Sequence, residues 1–158
     1  MPARIRFQSK FFLEKLTYLT LYTLFSSICA IVHYLASNPR VQEKLQKELD
    51  EQLGTEDKLV ATVAQVKSLT YLDVCINEAL RLRSTFPFGL PRLVQKGGLT
   101  VMGQYFAEGT VLSVPNYTIH RDVSVWGKDV EVYRPERWFE CDQNTVQKTF
   151  NPFSTGPR

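Results

Sequence analysis

The sequence predicts a mainly α-helical chain with a small β region, an α+β fold. Apolar residues recur at helical spacing until about residue 84, and short β-like segments bounded by glycine and proline follow. From Trp126 onwards the sequence is rich in aromatic residues, proline and charge, with little periodicity. The 158 residues are 44% hydrophobic and 22% charged, which excludes a disordered or collagen-like protein. The net charge of +3 is too small to indicate a nucleic-acid partner.

The first predicted helix has an environment that the sequence leaves open. Residues 16–36 contain no charged side chain, and this run is long enough to span a membrane. Five serine and threonine side chains and His33 interrupt it, however, which is less typical of a membrane anchor. The alternatives are a buried helix of a soluble protein, a membrane anchor and a cleaved signal sequence. We assign residues 1–25 to a separate N-terminal segment that is a hydrophobic helix or an anchor.

An amphipathic surface helix is predicted from Asn38 to about Gln52. Asn38 is a typical N-cap residue, and Pro39 suits the first helical position. Gly54 is expected to end the helix, and residues 55–58 are expected to form an exposed loop. One apolar residue occurs every four positions on the inner face: Val41, Leu45, Leu49 and Leu53.

The next predicted helix, residues 71–83, carries the first candidate functional residues. Thr70 and Asp73 have the spacing of a capping box at its start. On a helical wheel Glu78 lies inside the apolar stripe, and Arg81 follows on the same face. Because an ionised carboxylate among apolar side chains needs a partner, this spacing predicts a buried ion pair. The alternative is an ordinary pair on the helix surface.

Short elements are predicted in the second half of the chain. Three β segments are expected near residues 90–94, 99–105 and 110–114, the second of them turning at Gly103, and a short helix is expected over residues 116–121. The remainder is predicted to be an ordered coil, because its aromatic side chains must pack.

Two further motifs offer arginine side chains. Arg137 lies between Pro135 and Trp138, and its planar guanidinium could reach Glu78. The sequence then ends with Phe-x-x-Gly-x-Arg over residues 153–158, where the glycine would let the backbone approach a flat ligand and the arginine offers donors to an acidic group.

These motifs, in this order, resemble the C-terminal part of a cytochrome P450, a haem-thiolate monooxygenase. Glu78 to Arg81 resembles the motif of the family's K helix, and residues 135–138 resemble its Pro-x-Arg segment with Trp138 in place of phenylalanine. Residues 153–158 resemble the opening of the haem-binding loop. We therefore expect residues 26–158 to be a partial cytochrome P450 domain, a C-terminal fragment from the end of the I helix to the start of the haem loop, lacking the cysteine loop and the C-terminal end.

The resemblance implies an oxidoreductase that inserts one atom of O₂ into an organic substrate, with haem as cofactor, a reductase as electron-supplying partner and the endoplasmic reticulum membrane as the location. Glu78, Arg81 and Arg137 would form a structural triad that supports folding and haem retention. His120 is not assigned as an iron ligand, and no catalytic residue is assigned. The residues expected to contact the cofactor are Arg92, His120, Phe153, Gly156 and Arg158.

Two departures from the family pattern bear on activity. The family's axial cysteine lies two residues beyond the loop arginine, here Arg158, and none of Cys29, Cys75 and Cys141 has an equivalent setting. Residues 21–27 also lack most of the family's oxygen-activating pattern. We therefore expect the 158 residues to be catalytically inactive. The cysteines are odd in number and widely spaced, which indicates neither a disulfide framework nor a structural metal site.

Two expectations follow for a chain of this kind. Its stability would be marginal, with exposed apolar surface on the helices at residues 16–36 and 71–83. The alternative to a monooxygenase is a non-enzymatic, membrane-anchored interaction protein that retains the scaffold.

Overall fold

A computed structural model describes residues 2–54 and 61–153, and the side chains of these residues except 2–16 and 19. The chain divides into two compact units, Met1–Ala79 and Leu80–Arg158. The predicted mainly α fold with a small β region is confirmed. The elements along the described chain are α1 (Pro2–Ser37), α2 (Pro39–Leu53), α3 (Val63–Lys67), α4 (Thr70–Leu82), β1 (Arg92–Leu93), β2 (Leu99–Val101), β3 (Gln104–Phe106), β4 (Val111–Leu112), α5 (Asn116–Ile119), α6 (Val123–Trp126), α7 (Arg137–Glu140) and α8 (Gln143–Thr149).

Helix α1 is one continuous helix that extends beyond the predicted apolar run on its N-terminal side. Two of its hydroxyl groups bond within the helix: Thr23 Oγ1 donates to the Thr20 carbonyl at 2.8 Å and Ser27 Oγ donates to the Thr23 carbonyl at 2.9 Å. The expected exposure of apolar surface on this helix is confirmed. The exposed large side chains are Tyr18, Leu21, Tyr22, Leu24, Phe25, Ile28 and Val32.

Helix α2 confirms the predicted bounds, with one difference at its start. Asn38 occupies the N-cap position and Pro39 begins the helix, but the Asn38 side chain makes no capping bond. Its Nδ2 instead donates to the Tyr34 carbonyl at 2.7 Å and so satisfies the end of α1. Gly54 ends the helix with φ +76°, and the loop expected at residues 55–58 lies outside the described residues.

The predicted capping box at Thr70 is wrong, because Thr70 is already the first residue of α4 and the Asp73 N–H donates to the Leu69 carbonyl. The Glu48 carboxylate from α2 takes the capping role, accepting the N–H of Tyr71 at 2.7 Å and the N–H of Leu72 at 3.0 Å. A carboxylate at this end of a helix also interacts favourably with the helix dipole. A capping box does form at α3, where Thr62 and Gln65 bond each other's backbone N–H.

The expectation of exposed apolar surface on the helix at residues 71–83 is wrong. The apolar side chains of α4 pack inside the described part of the chain, and Cys75 and Ala79 have no exposed area at all. Helical periodicity therefore identified the correct face, and that face is covered. The buried apolar residues of α4 are Val74, Cys75, Ala79, Leu80 and Leu82.

The second unit begins with two antiparallel strand pairs. Strand β1 pairs with β4, with Arg92 opposite Leu112, and β2 pairs with β3. The β2–β3 turn confirms the predicted reversal at Gly103. Met102 and Gly103 have φ of +49° and +82°, the left-handed conformations that a two-residue hairpin turn requires.

The coil expected after Trp126 is interrupted by two short helices, α7 and α8. Asp142 caps α8 by accepting the N–H groups of Asn144 and Thr145, a local signal that periodicity over so short a helix does not reveal. The expected aromatic packing is present. The ring centroid of Trp138 lies 5.2 Å from that of Trp126 and 4.7 Å from that of Phe150.

Candidate functional site

Three charged side chains at the motif positions are fully buried. Glu78 and Arg81 lie three residues apart on α4, Arg137 begins α7, and each has 0% exposed area. The burial of Glu78 is what its place in the apolar stripe predicts. Because a buried charge without hydrogen bonds is strongly destabilising, such side chains need several polar partners each.

Arg81 belongs to the second unit and is held by other groups of that unit. Its Nη1 donates to the His120 carbonyl at 2.7 Å, and its guanidinium carbon lies 5.3 Å from the centroid of the Trp126 ring. The planar guanidinium thus combines a charge-assisted hydrogen bond with a cation–π contact. Arg81 thereby fixes the chain at the end of α5 to the last turn of α4.

Arg137 organises the chain that follows α6. Its Nη1 donates to the Trp126 carbonyl and to Asp129 Oδ1, the latter at 3.1 Å. Its Nη2 donates to the carbonyls of Asp129 and Val132, both at 2.9 Å. One buried guanidinium therefore fixes the backbone at three points between residues 126 and 132.

Asp129 and Arg134 complete this arrangement, and the sequence analysis missed both. Arg134 Nε donates to Asp129 Oδ2 at 2.7 Å, and its Nη1 lies 2.7 Å from both oxygens of Glu140. Burial raises the pKa of Asp129, but the hydrogen bonds from Arg134 and Arg137 outweigh it and hold that pKa below its usual value. The spacing of Arg134 three residues before Arg137 was the available signal.

His120 is fully buried at the end of α5. Its Nε2 accepts the backbone N–H of Asn151 at 3.3 Å, and its ring centroid lies 5.3 Å from that of Phe150. Its Nδ1 has no hydrogen-bond partner among the described residues. Burial, with the nearby charges of Arg81 and Arg121, lowers the pKa of His120 to about 4, so the imidazole is neutral at neutral pH.

The other candidate cofactor contacts are more exposed or lie outside the described residues. Arg92 is an exposed residue of β1, and Phe153 is 54% exposed, two residues after Asn151. Gly156 and Arg158 belong to residues 154–158, which the structure does not describe. The geometry thus brings His120 to the chain leading to Phe153.

The described residues offer no cluster of side chains suited to a metal ion. Among the side chains that the structure describes, no group of three or more histidine, cysteine or acidic residues could hold one. The cysteines are dispersed: Cys29 is exposed on α1, Cys75 is buried in α4, and Cys141 is partly buried after α7.

Comparison with known proteins identifies the family. The family model for cytochrome P450 matches residues 21–158. The chain belongs to the cytochrome P450 family. Benzoate 4-monooxygenase bphA of Aspergillus niger is 45% identical over 139 residues, and pisatin demethylase of Fusarium vanettenii is 36% identical over 122 residues. These matches cover 86% and 77% of this chain but only 27% and 23% of the relatives, so the chain spans about a quarter of their length.

The described residues fit the peripheral groups of a cytochrome P450 haem. A haem carries acidic side groups, and the chain offers hydrogen-bond donors on the Arg92 guanidinium and at Nδ1 of His120, which is buried and has no partner among the described residues. The exposed ring of Phe153 is suited to a flat apolar surface.

Proposed function

We propose that these residues serve a haem-dependent monooxygenase, which inserts one atom of O₂ into an organic substrate with electrons supplied by a reductase. The observation that carries the proposal is the complete burial of Glu78, Arg81 and Arg137 at the positions of the family motifs. These side chains would form the triad that holds the fold around the cofactor. When bound, haem supplies the iron centre at which oxygen is activated.

The chain's own groups would bind and orient that cofactor. Arg92 and His120 would donate to the acidic groups of the haem, and Arg158 would pair with them as well. Phe153 and Gly156 would lie against the ring, the glycine because it has no side chain to keep the backbone away. In this proposal Glu78, Arg81 and Arg137 act through the fold rather than on the reacting atoms.

A segment exchange tests the proposal. The segment of the Aspergillus niger benzoate 4-monooxygenase that matches this chain would be replaced by residues 21–158 and the purified protein assayed for haem content and benzoate oxidation. Retained haem and activity are the expected result. A folded chimera without haem, beside an unmodified host enzyme that holds it, would overturn the proposal.

A matched pair of variants sharpens this test. Arg81 is fully buried, whereas Arg83 just after α4 is exposed. Arg81→Lys should lower the haem content of the chimera several-fold, because a lysine cannot reproduce the guanidinium geometry. Arg83→Lys should leave it unchanged. Equal effects of the two variants would contradict the role given to Arg81.

We propose further that the 158-residue polypeptide alone does not catalyse oxygenation. The family's thiolate ligand follows the loop arginine, and Cys29, Cys75 and Cys141 stand elsewhere in the sequence. Mixing the polypeptide with haem, a reductant and carbon monoxide should give no red-shifted Soret band of a thiolate-ligated haem. The appearance of that band would reject this second proposal and leave the first intact.

Membrane association is a separate candidate function, favoured by α1. Residues Thr20–Ser37 are long and apolar enough to cross a membrane, and they bury little of their surface within the chain. A membrane-anchored interaction protein without enzymatic activity would keep α1 in the bilayer, at the endoplasmic reticulum by the family's expectation. Retention in membranes after carbonate extraction would support this candidate, and release would reject it.

A further inference from the structure

His120 joins two parts of the second unit that are far apart in sequence. Its carbonyl accepts from Arg81, 39 residues earlier, and its Nε2 accepts from the Asn151 N–H, 31 residues later. Because all three groups are within hydrogen-bond distance, the buried guanidinium is connected through one residue to the chain that leaves α8. The candidate cofactor role of His120 involves Nδ1 and leaves this connection unexplained.

The hydrogen bond to Asn151 determines which ring nitrogen carries the proton. Nε2 can accept an N–H only when it is unprotonated, so the neutral imidazole must carry its proton on Nδ1. The burial that depresses the pKa of His120 favours this neutral form. The ring therefore acts as an acceptor toward Asn151.

The Asn151 N–H lies just beyond the last N–H that bonds within α8. The Phe150 N–H still bonds within α8, to the Val146 carbonyl at 2.8 Å, and Pro152 has no N–H to donate. The Asn151 N–H is thus the last backbone donor before Phe153. The Phe150 ring, packed against His120 and Trp138, fixes the chain by apolar contact just before this point.

We infer that His120 is a positioning residue, which fixes the backbone at Asn151 and hence the entry to the segment carrying Phe153 relative to the buried Arg81. This inference rests on the proposed haem-dependent function for its purpose, but its geometry does not require haem. It gives His120 a role through the backbone of the following segment, in addition to any contact with a cofactor.

Amide hydrogen exchange in the 158-residue protein tests the inference without haem. His120→Leu removes the acceptor at similar size, whereas His120→Gln places a carbonyl oxygen near the position of Nε2. In the leucine variant the Asn151 amide should exchange about tenfold faster, with Phe150 changed by less than about threefold. The glutamine variant should return Asn151 to within about threefold of the wild-type rate.

Two results would overturn the inference. One is an unchanged Asn151 rate in His120→Leu, and the other is an equal acceleration of Asn151 and Phe150 in both variants, which indicates general loosening. If the leucine variant does not fold, ¹⁵N chemical shifts of the wild-type imidazole decide the question. A neutral ring protonated at Nδ1 supports the inference, and one protonated at Nε2 rejects it.

The haem-bearing chimera separates this inference from the proposed function. There His120→Leu should lose haem several-fold faster than His120→Gln. A chimera that never binds haem would reject the proposed function while the exchange rates still decide the role of His120. A chimera that holds haem equally well in both variants would reject the inference alone.

Discussion

The substitution Arg137→Lys tests most directly how the second unit is held together. A lysine keeps the positive charge and can still reach the Asp129 carboxylate, but it has no counterpart of Nη2. The carbonyls of Asp129 and Val132 would then lose their donors. Leaving a buried acceptor unsatisfied costs about 1–2 kcal/mol, so the two together should lower the free energy of unfolding by about 3 kcal/mol.

The assay is urea unfolding followed by tryptophan fluorescence. Both tryptophans of the chain, Trp126 and Trp138, belong to the second unit, so the signal reports its unfolding. Arg134→Lys is the matched control, because Arg134 is partly exposed and pairs with half-exposed carboxylates. It should cost no more than about 1 kcal/mol. If Arg137→Lys lowered the free energy of unfolding as little as this control, the conclusion that Arg137 fixes the backbone between residues 126 and 132 would be refuted.

Three further predictions concern other parts of the chain. Because burial lowers the pKa of His120 to about 4, the second unit should be most stable above about pH 6.5 and should lose up to about 3 kcal/mol as the pH falls from 6.5 to 4. His120→Gln should reduce this dependence in urea unfolding measured at several pH values. Glu48→Gln should lower the free energy of unfolding of the first unit by about 1 kcal/mol, because the negative charge at the start of α4 is lost. Thermal unfolding followed by circular dichroism measures this change, and an unchanged melting temperature would contradict the capping role. Met102→Asn should raise the stability of the second unit by about 0.5 kcal/mol, because asparagine tolerates the positive φ better; a lower melting temperature would contradict this.

The elements that sequence alone predicted well are those whose signals are local. Helix α2 combines an apolar residue every fourth position with proline at its start and glycine at its end, and its bounds are confirmed. The burial of Glu78 followed from its position on the helical wheel. The Met102–Gly103 turn was likewise readable from the glycine that it requires.

The elements that sequence analysis missed depend on distant partners or on very short signals. Thr70 and Asp73 have the spacing of a capping box, but a carboxylate 23 residues away from Tyr71 takes the helix N-terminus instead. No pattern over a single helix can reveal such a competitor. Helix α8 is too short for periodicity, and only the capping side chain of Asp142 marks it.

The same limits apply to the candidate site. The motif arginines were found because they stand among apolar residues or beside proline and tryptophan. Asp129 was missed because nothing in its neighbourhood distinguishes it from a surface carboxylate, and its importance arises only when Arg134 and Arg137 converge on it. The approach of Asn151 to His120 is a backbone contact, which side-chain patterns do not encode.

The preference of Arg137 for main-chain oxygens has a consequence for how the 126–132 segment can vary. The carbonyls of Trp126, Asp129 and Val132 are present whatever side chains those positions carry, and the Val132 side chain itself is 55% exposed. Arg137 therefore fixes the path of the backbone, whereas the identity of the exposed side chains on this segment is left free. Positions such as Lys128 and Val132 can accept mutations and diversify the exterior of the protein without altering the framework beneath it.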